Sequence, residues 1–427
     1  MKSILIISYY WPPSGGSGVQ RWMYFSKYLK ELGYNPIIIT VDPKYASYSS
    51  IDFSLIKEVK NIEVHKTKSL EILKLYSLFK SKNNSKNYPQ SYIPNKSIFD
   101  KLTSFIRVNF MIPDARVGWN KFAFNKAKEI IIKNNIHYLI TTGPPHSSHL
   151  VGLKIKKKFD INWIVDFRDP WSEIFYTKNQ FKFKISKKID QSLERKVLNS
   201  ADKIITTVGE KYHEILQNKI TEKKNIHGIY NGYDKINFDK IEAIETSYYN
   251  IVFCGVLSKN HNYKLFKKVI DKLSPKENNL NMRFSIAGKI DLDVKKLFSS
   301  KIITEYKGYL EHNESISLMK SSHLLINFNY IQTEETDMVS GKLIEYVASG
   351  SPVINFSNFS EESKSILMNS KKSFNANNND FDKVYNFINK EYNLWLVGKL
   401  KKDLTISLDH LSRENLTKKL VEVIKSI

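Results

Sequence analysis

The sequence predicts an α/β protein built from two doubly wound, Rossmann-like domains. Three observations predict it. The chain has 427 residues, more than one hydrophobic core fills. It opens with an apolar run, a glycine-containing loop, a helical repeat and a second apolar run. After a break in the pattern at 235–249, a second series of short apolar runs alternates with helical stretches.

Residues 3–8 form the first buried parallel strand. Val19, Trp22, Phe25, Leu29 and Leu32 then recur at helical spacing, and Gly33 stops the helix before the strand at 36–40. Ligands of doubly wound sheets sit at the carboxyl ends of strands, which is where the loop with Gly15, Gly16 and Gly18 lies. Residues 81–96, rich in Ser, Asn and Lys, read as a solvated insertion ahead of a more apolar segment at 98–119. Helix, strand and helix resume at 122–133, 138–142 and 149–158, and 163–166 and 203–207 complete the strands of this half. In the second half the strands are 251–256, 283–287, 324–328 and 352–356. The expected domains are therefore 1–240 and 241–404. Residues 405–427 are expected to pack back on the first domain through a helix whose one face carries Leu416, Leu420, Val423 and Ile424.

A formal net charge of +23 calls for an anionic partner, such as a phosphorylated substrate or an acidic membrane surface. A general abundance of Lys, Asn and Ile is the alternative source of the excess. No zinc-ligand spacing, basic zipper or aromatic ribonucleoprotein motif accompanies the charge, so nucleic acid is not an expected partner. The one cysteine, Cys254, excludes an internal disulfide, fits a reducing compartment and reads as core packing. The apolar stretch at 3–8 is too short for a secretory signal, and no window approaches the roughly 20 apolar residues of a membrane span. A soluble or peripheral protein is expected.

The most specific segment runs from Asp337 to Ile354. Ser340 and Gly341 lead into a short helix that ends at Gly350, and Pro352 opens the next strand. Free backbone N–H groups and the positive end of the helix dipole suit a diphosphate there. Glu345, one turn into the helix and without an evident structural partner, would accept hydrogen bonds from ribose hydroxyls. Asp337 would lie across the pocket, near a sugar. An ordinary helix with a surface acid is the alternative.

The acidic pair Asp337 and Glu345, separated by seven residues and trailed by Gly350-Ser-Pro352-Val-Ile354, resembles the hallmark of the retaining family 4 glycosyltransferases. Their GT-B fold sets two Rossmann-like domains facing each other across a cleft. The resemblance implies that Glu345 binds the donor ribose and that Asp337, where the family usually has Glu, contacts the donor sugar. It covers nearly the whole chain in family order. Tyr10-Trp-Pro-Pro13 through Gly15, Gly16 and Gly18 to Gln20-Arg21 resembles the loop beside the donor phosphate and the acceptor. Pro113-Asp-Ala-Arg116 with Trp119, Gly143-Pro-Pro-His146-Ser-Ser-His149 and Asp166-Phe-Arg-Asp-Pro-Trp171 resemble a bacterial branch that builds surface polysaccharides. Tyr230-Asn-Gly232 with Asp234, Gly308 and Ser412-Arg413 also have counterparts.

One departure concerns charge. The family places an Arg directly after the glycine of the second domain's first strand and a Lys five residues on, whereas here Gly255 is followed by Val256. Lys259 and Lys264 are the nearest replacements, with Lys342 and Arg21 as further cations, and the abundance of Lys is the competing explanation. His146, after a strand end, is the candidate beside the donor sugar; a structural role for it and His149 is the alternative. Arg168 and Asp169 could orient acceptor hydroxyls or pyrophosphate, unless Asp166 to Trp171 holds a buried ion pair that closes the loop. Asp291-Leu-Asp293 is a D-x-D pair, but its place ahead of a helix at 294–298 explains both acids as first-turn residues, and no metal is expected.

The function implied is transfer of a sugar from a UDP- or GDP-linked donor to a lipid-linked or saccharide acceptor, with retention and without cofactor or metal. Its expected setting is cell-surface polysaccharide synthesis, as O-antigen, capsule or exopolysaccharide. The expected catalytic residues are His146, Asp337, Arg168 and Asp169. The expected donor site joins Glu345, Ser340, Gly341, Lys342, Lys259, Lys264 and Gly255 to Gly16, Gly18 and Arg21. The rival readings are a sugar-nucleotide 2-epimerase of similar architecture and a non-catalytic basic protein that binds polyanions. An anionic membrane is the expected partner, met from the cytoplasm at its inner face through basic and aromatic residues between Leu75 and Trp119.

Overall fold

A computed structural model of the chain describes residues 1–48, 50–70, 98–173, 181–273, 281–298, 303–331, 339–357, 360–402 and 407–427. They form two compact units, Met1–Tyr230 with Leu416–Ile427, and Asn231–Asn415. The first unit closes at Tyr230, ahead of position 240, and the short helix Lys235–Lys240 lies in the second.

The first unit holds a seven-stranded sheet in the order β3-β2-β1-β4-β5-β6-β7. The strands are β1 Lys2–Ile7, β2 Tyr34–Val41, β3 Glu63–Thr67, β4 Tyr138–Gly143, β5 Asn162–Phe167, β6 Lys203–Thr206 and β7 Ile226–Gly228. Every pairing is parallel, so the crossovers cover both faces. Leu5 and Ile7 enter one core with Ile37, Leu139 and Val165, shared with the helices Asn120–Asn134 and Ser147–Lys156. Ile4 and Ile6 enter the other with Ile38, Ile140 and Ile164, shared with the helix Ser17–Glu31. A strand buried on both faces has no polar side, which is why these runs are continuously apolar. The last helix, Arg413–Lys425, completes the second of these cores through Leu416, Leu420 and Ile424.

The second unit holds a six-stranded parallel sheet in the order β10-β9-β8-β11-β12-β13. Its strands are β8 Tyr249–Cys254, β9 Met282–Ala287, β10 Ile303–Gly308, β11 Leu324–Phe328, β12 Val353–Phe356 and β13 Phe374–Ala376. Ile251, Phe253, Phe284, Ile326 and Phe356 share a core with the helices Lys264–Leu273 and Phe381–Leu396. Asn327, Asn355 and Asn375 stand in register on β11, β12 and β13, linked by amide hydrogen bonds of 2.6 and 2.7 Å. No helix among the described residues is long and apolar enough to cross a membrane.

Candidate functional site

In the second sheet the chain runs from β8 outward through β9 to β10, then crosses to β11 on the other side. Ligands of open parallel sheets bind at the carboxyl ends of the strands where the order reverses, here between β8 and β11. Gly255, directly after β8, has φ 137° and donates its N–H to Ala287 at 2.7 Å. Gly288, directly after β9, has φ 114°, and a Cβ on it would collide with the carbonyl of Gly255. The two backbones approach too closely for side chains. A Cβ on Gly255 would instead strike the ammonium of Lys342.

Lys342 begins the helix Lys342–Ala348, which follows Ser340 and has Gly341 as its N-cap. Its Nζ lies 4.4 Å from the ring centre of Phe253. Among the described residues the ammonium makes no ion pair. Burial pushes it down to about 8, against a small opposing effect of Cys254. One turn on, Glu345 Oε1 accepts a hydrogen bond from Arg413 at 2.9 Å and another from His312 at 3.2 Å. Burial raises this carboxyl, but His312 and Arg413 outweigh it and hold the group below its ordinary range. The carboxylate is therefore ionised and anchored through one oxygen. Arg413 is fixed in turn by its N–H to Tyr233 O at 2.9 Å, and His312 begins the helix His312–Lys320 behind the capping box of Glu311 and Glu314.

The first sheet reverses between β1 and β4. Arg168, just beyond β5, donates to Gly143 O at 3.2 Å, to Gly18 O at 2.5 Å and to Pro144 O. It thereby ties together the loops that follow β1 and β4. Asp169 keeps part of its surface open; burial pushes its carboxyl up, with Arg168 opposing and Asp166 reinforcing. Asp166 is wholly buried and accepts two bonds from Arg21 at 2.9 and 3.1 Å, one from Trp22 at 2.5 Å and one from Thr142 at 2.8 Å. Arg21 also donates to the carbonyls of Ile229 and Tyr230 at 2.7 and 3.0 Å.

His146 is buried in a stack on Trp171, with ring centres 5.0 Å apart. Burial, reinforced by the charge of neighbouring groups, holds it well below the ordinary histidine value, so the ring is neutral at pH 7. His149 bonds Thr141 at 2.8 Å, and burial lowers it to about 3. Asp114 accepts from the backbone and hydroxyl of Ser147, each at 2.8 Å, which joins the segment at 113–116 to the one at 143–149.

No family model and no curated protein matches the chain. Among solved structures it is similar to a glycosyltransferase from Rickettsia africae ESF-5, with 17% identity and a TM-score of 0.59 over 100% of this chain and 98% of that one. It is likewise similar to a TarM variant from S. aureus in complex with fondaparinux, alpha-GlcNAc-glycerol and UDP, with 14% identity and a TM-score of 0.61 over 99% of each chain. The architecture is that of the GT-B glycosyltransferases. A protein named as a UDP-N-acetylglucosamine 2-epimerase, from Listeria monocytogenes, also superposes, with 10% identity and a TM-score of 0.52 over 100% of this chain and 96% of that one. The fold by itself therefore does not separate transfer from epimerisation.

The structure brings Gly255, Lys342 and Glu345 to one end of the second sheet, with Ser340 and Gly341 immediately before the helix that carries the last two. Lys259 and Lys264 are exposed on the segment after β8, where Asp291 accepts the backbone N–H of Lys259 at 3.2 Å. Asp293 lies in the first turn of the helix Leu292–Phe298. Asp337 lies outside the described residues. In the first unit Gly16, at φ 102°, faces open space, whereas Gly18 is packed against Arg168.

Two expectations are corrected. Arg21, expected at the donor phosphate, has its guanidinium buried on Asp166 and two carbonyls. Arg168, expected to orient acceptor hydroxyls or pyrophosphate, is a clamp on backbone carbonyls. His146, expected beside the donor sugar, is a neutral ring stacked on Trp171. His312 went unread in the sequence. The Glu311-x-x-Glu314 pattern marks the start of its helix, but carries no signal of a partner 33 positions away.

Proposed function

We propose that the protein is a glycosyltransferase whose donor is a nucleoside-diphosphate sugar bound at the carboxyl end of β8. The observation that carries this reading is Lys342, a desolvated ammonium without a counter-ion among the described residues, at the reversal point of the second sheet. A half-buried, desolvated ammonium that no carboxylate among the described residues neutralises is costly, and a diphosphate would supply the opposite charge. Glu345 leaves Oε2 for a ribose hydroxyl while Oε1 is anchored. The S. aureus TarM structure, of the same fold, contains UDP.

Departure of the sugar places negative charge on the β-phosphate, and the preplaced ammonium of Lys342 stabilises it as it develops. In line with the family 4 motifs, the reaction proceeds with retention, the departing phosphate receiving the proton of the acceptor hydroxyl. No divalent cation is needed, because Lys342 provides the charge, and Asp291 is occupied with the backbone of Lys259. The acceptor is a saccharide or a lipid-linked saccharide of surface polysaccharide synthesis.

Incubation with UDP- and GDP-sugars and saccharide acceptors in excess EDTA, followed by NMR of the product, tests this. Nucleoside diphosphate is expected one-to-one with a glycoside that keeps the donor's anomeric configuration. Isomerised sugar formed without acceptor would make the protein an epimerase. Turnover that needs manganese and is lost in Asp291→Ala would overturn the metal-free mechanism.

A further inference from the structure

We propose that an exposed aromatic and basic patch on the first unit docks onto an anionic bilayer surface, through the end of the helix Ile98–Phe110 and the start of the helix Lys184–Ser200. The proposal does not depend on the donor-site reading. Phe110 and Phe181 are each 69% exposed and Ile185 is 68% exposed, with Leu102, Ile106 and Phe183 open beside them. These side chains are gathered rather than scattered. The rings of Phe181 and Phe183 lie 5.5 Å apart, Phe110 and Phe183 6.4 Å apart, and Phe105 lies 5.4 Å from Phe183.

The patch is also held in place. Asn109, buried between the two segments, donates to Phe181 O at 3.0 Å and accepts from Phe183 N–H at 2.6 Å, and Ser186 donates to Asn109 O at 3.0 Å. A contiguous apolar surface fixed by buried hydrogen bonds marks an interaction face rather than stray exposure.

Charge selects the occupant. Residues 181–189 read Phe-Lys-Phe-Lys-Ile-Ser-Lys-Lys-Ile, four lysines and no acid. Lys182 pairs with Asp190, whereas Lys184, Lys187 and Lys188 are exposed and make no ion pair among the described residues. Apolar side chains interleaved with lysines insert shallowly into an interface while the ammonium groups meet anionic headgroups. A second copy would set lysines against lysines. The surface lies partly within the span expected from the sequence, but 71–97 is outside the described residues, and half of the patch comes from 181–189.

Cosedimentation of the full chain with vesicles of equimolar phosphatidylglycerol and phosphatidylcholine, and of phosphatidylcholine alone, tests the proposal at low and high salt. Binding is expected on anionic vesicles only and weakens as salt rises. Phe110→Ser with Phe181→Ser, and Lys184→Glu with Lys187→Glu and Lys188→Glu, should each weaken it by about tenfold or more. Neither set should change the melting temperature or the thermal shift caused by UDP. Absence of binding at low salt, or wild-type binding by either variant set, overturns the proposal. So does a concentration-dependent dimer that the same substitutions abolish without vesicles. UDP binding read in parallel separates failure here from failure of the donor site.

Discussion

At Lys342 the cost of burial and the use of the charge pull in opposite directions. A lysine near 10.5 in the unfolded chain sits at about 8 in the folded protein, so between these values the folded state binds fewer protons. Unliganded stability therefore rises with pH across that window, and the penalty is complete below it. Lys342→Met should raise the unliganded melting temperature, a gain of about 1–3 kcal/mol, while weakening nucleotide binding at least about tenfold. Wild-type affinity should fall as pH rises past about 8, where the ammonium is lost, and the weak binding of Lys342→Met should not follow pH; calorimetry across that range reads both. Glu345→Ala leaves Arg413 buried without its carboxylate and should cost about 2–4 kcal/mol in urea unfolding. The sequence identified this acid because Gly350 and Pro352 punctuate its helix, but gave no hint that His312 and Arg413 make it structural as well. Arg21 shows the opposite failure. An arginine after a glycine loop looks alike whether it faces a phosphate or, as here, an acid 145 positions away. Arg21→Ala should cost about 3–5 kcal/mol, and Arg21→Lys should not restore it, because one ammonium cannot replace the fork that spans Asp166 and two carbonyls.

At the scale of elements, the strands were legible because burial on both faces leaves them continuously apolar, and the last helix because one face repeats at helical spacing. Leu420, with no exposed surface, sits among residues of the first unit's core, so Leu420→Ala should cost about 2–4 kcal/mol and lower the melting temperature accordingly. Illegible were the contacts that turn element ends into a site. The sequence shows glycines at 255 and 288, but their use follows from pairing β8 with β9, which brings one backbone against the other. The cation that replaces the arginine missing after Gly255 likewise came from another element. Lys342 reaches that place because its helix follows β11, which pairs with β8 across the reversal of strand order. Lys259 and Lys264 are nearer in sequence yet remain exposed, since the segment after β8 directs its backbone, not their side chains, at Asp291.

For the whole molecule, the two sheets give the GT-B architecture, and that architecture is shared by transferases and an epimerase. The functional claim therefore rests on a charge that the second unit half-buries without a counter-ion among the described residues. Calorimetric titration of the intact protein with UDP and GDP at pH 7 in excess EDTA, beside Lys342→Met, tests it directly. Saturable one-to-one binding of one nucleotide is predicted, at least about tenfold weaker in the variant although the variant is the more stable protein. Absence of binding by both nucleotides to the folded wild type, or equal affinity in Lys342→Met, would contradict it.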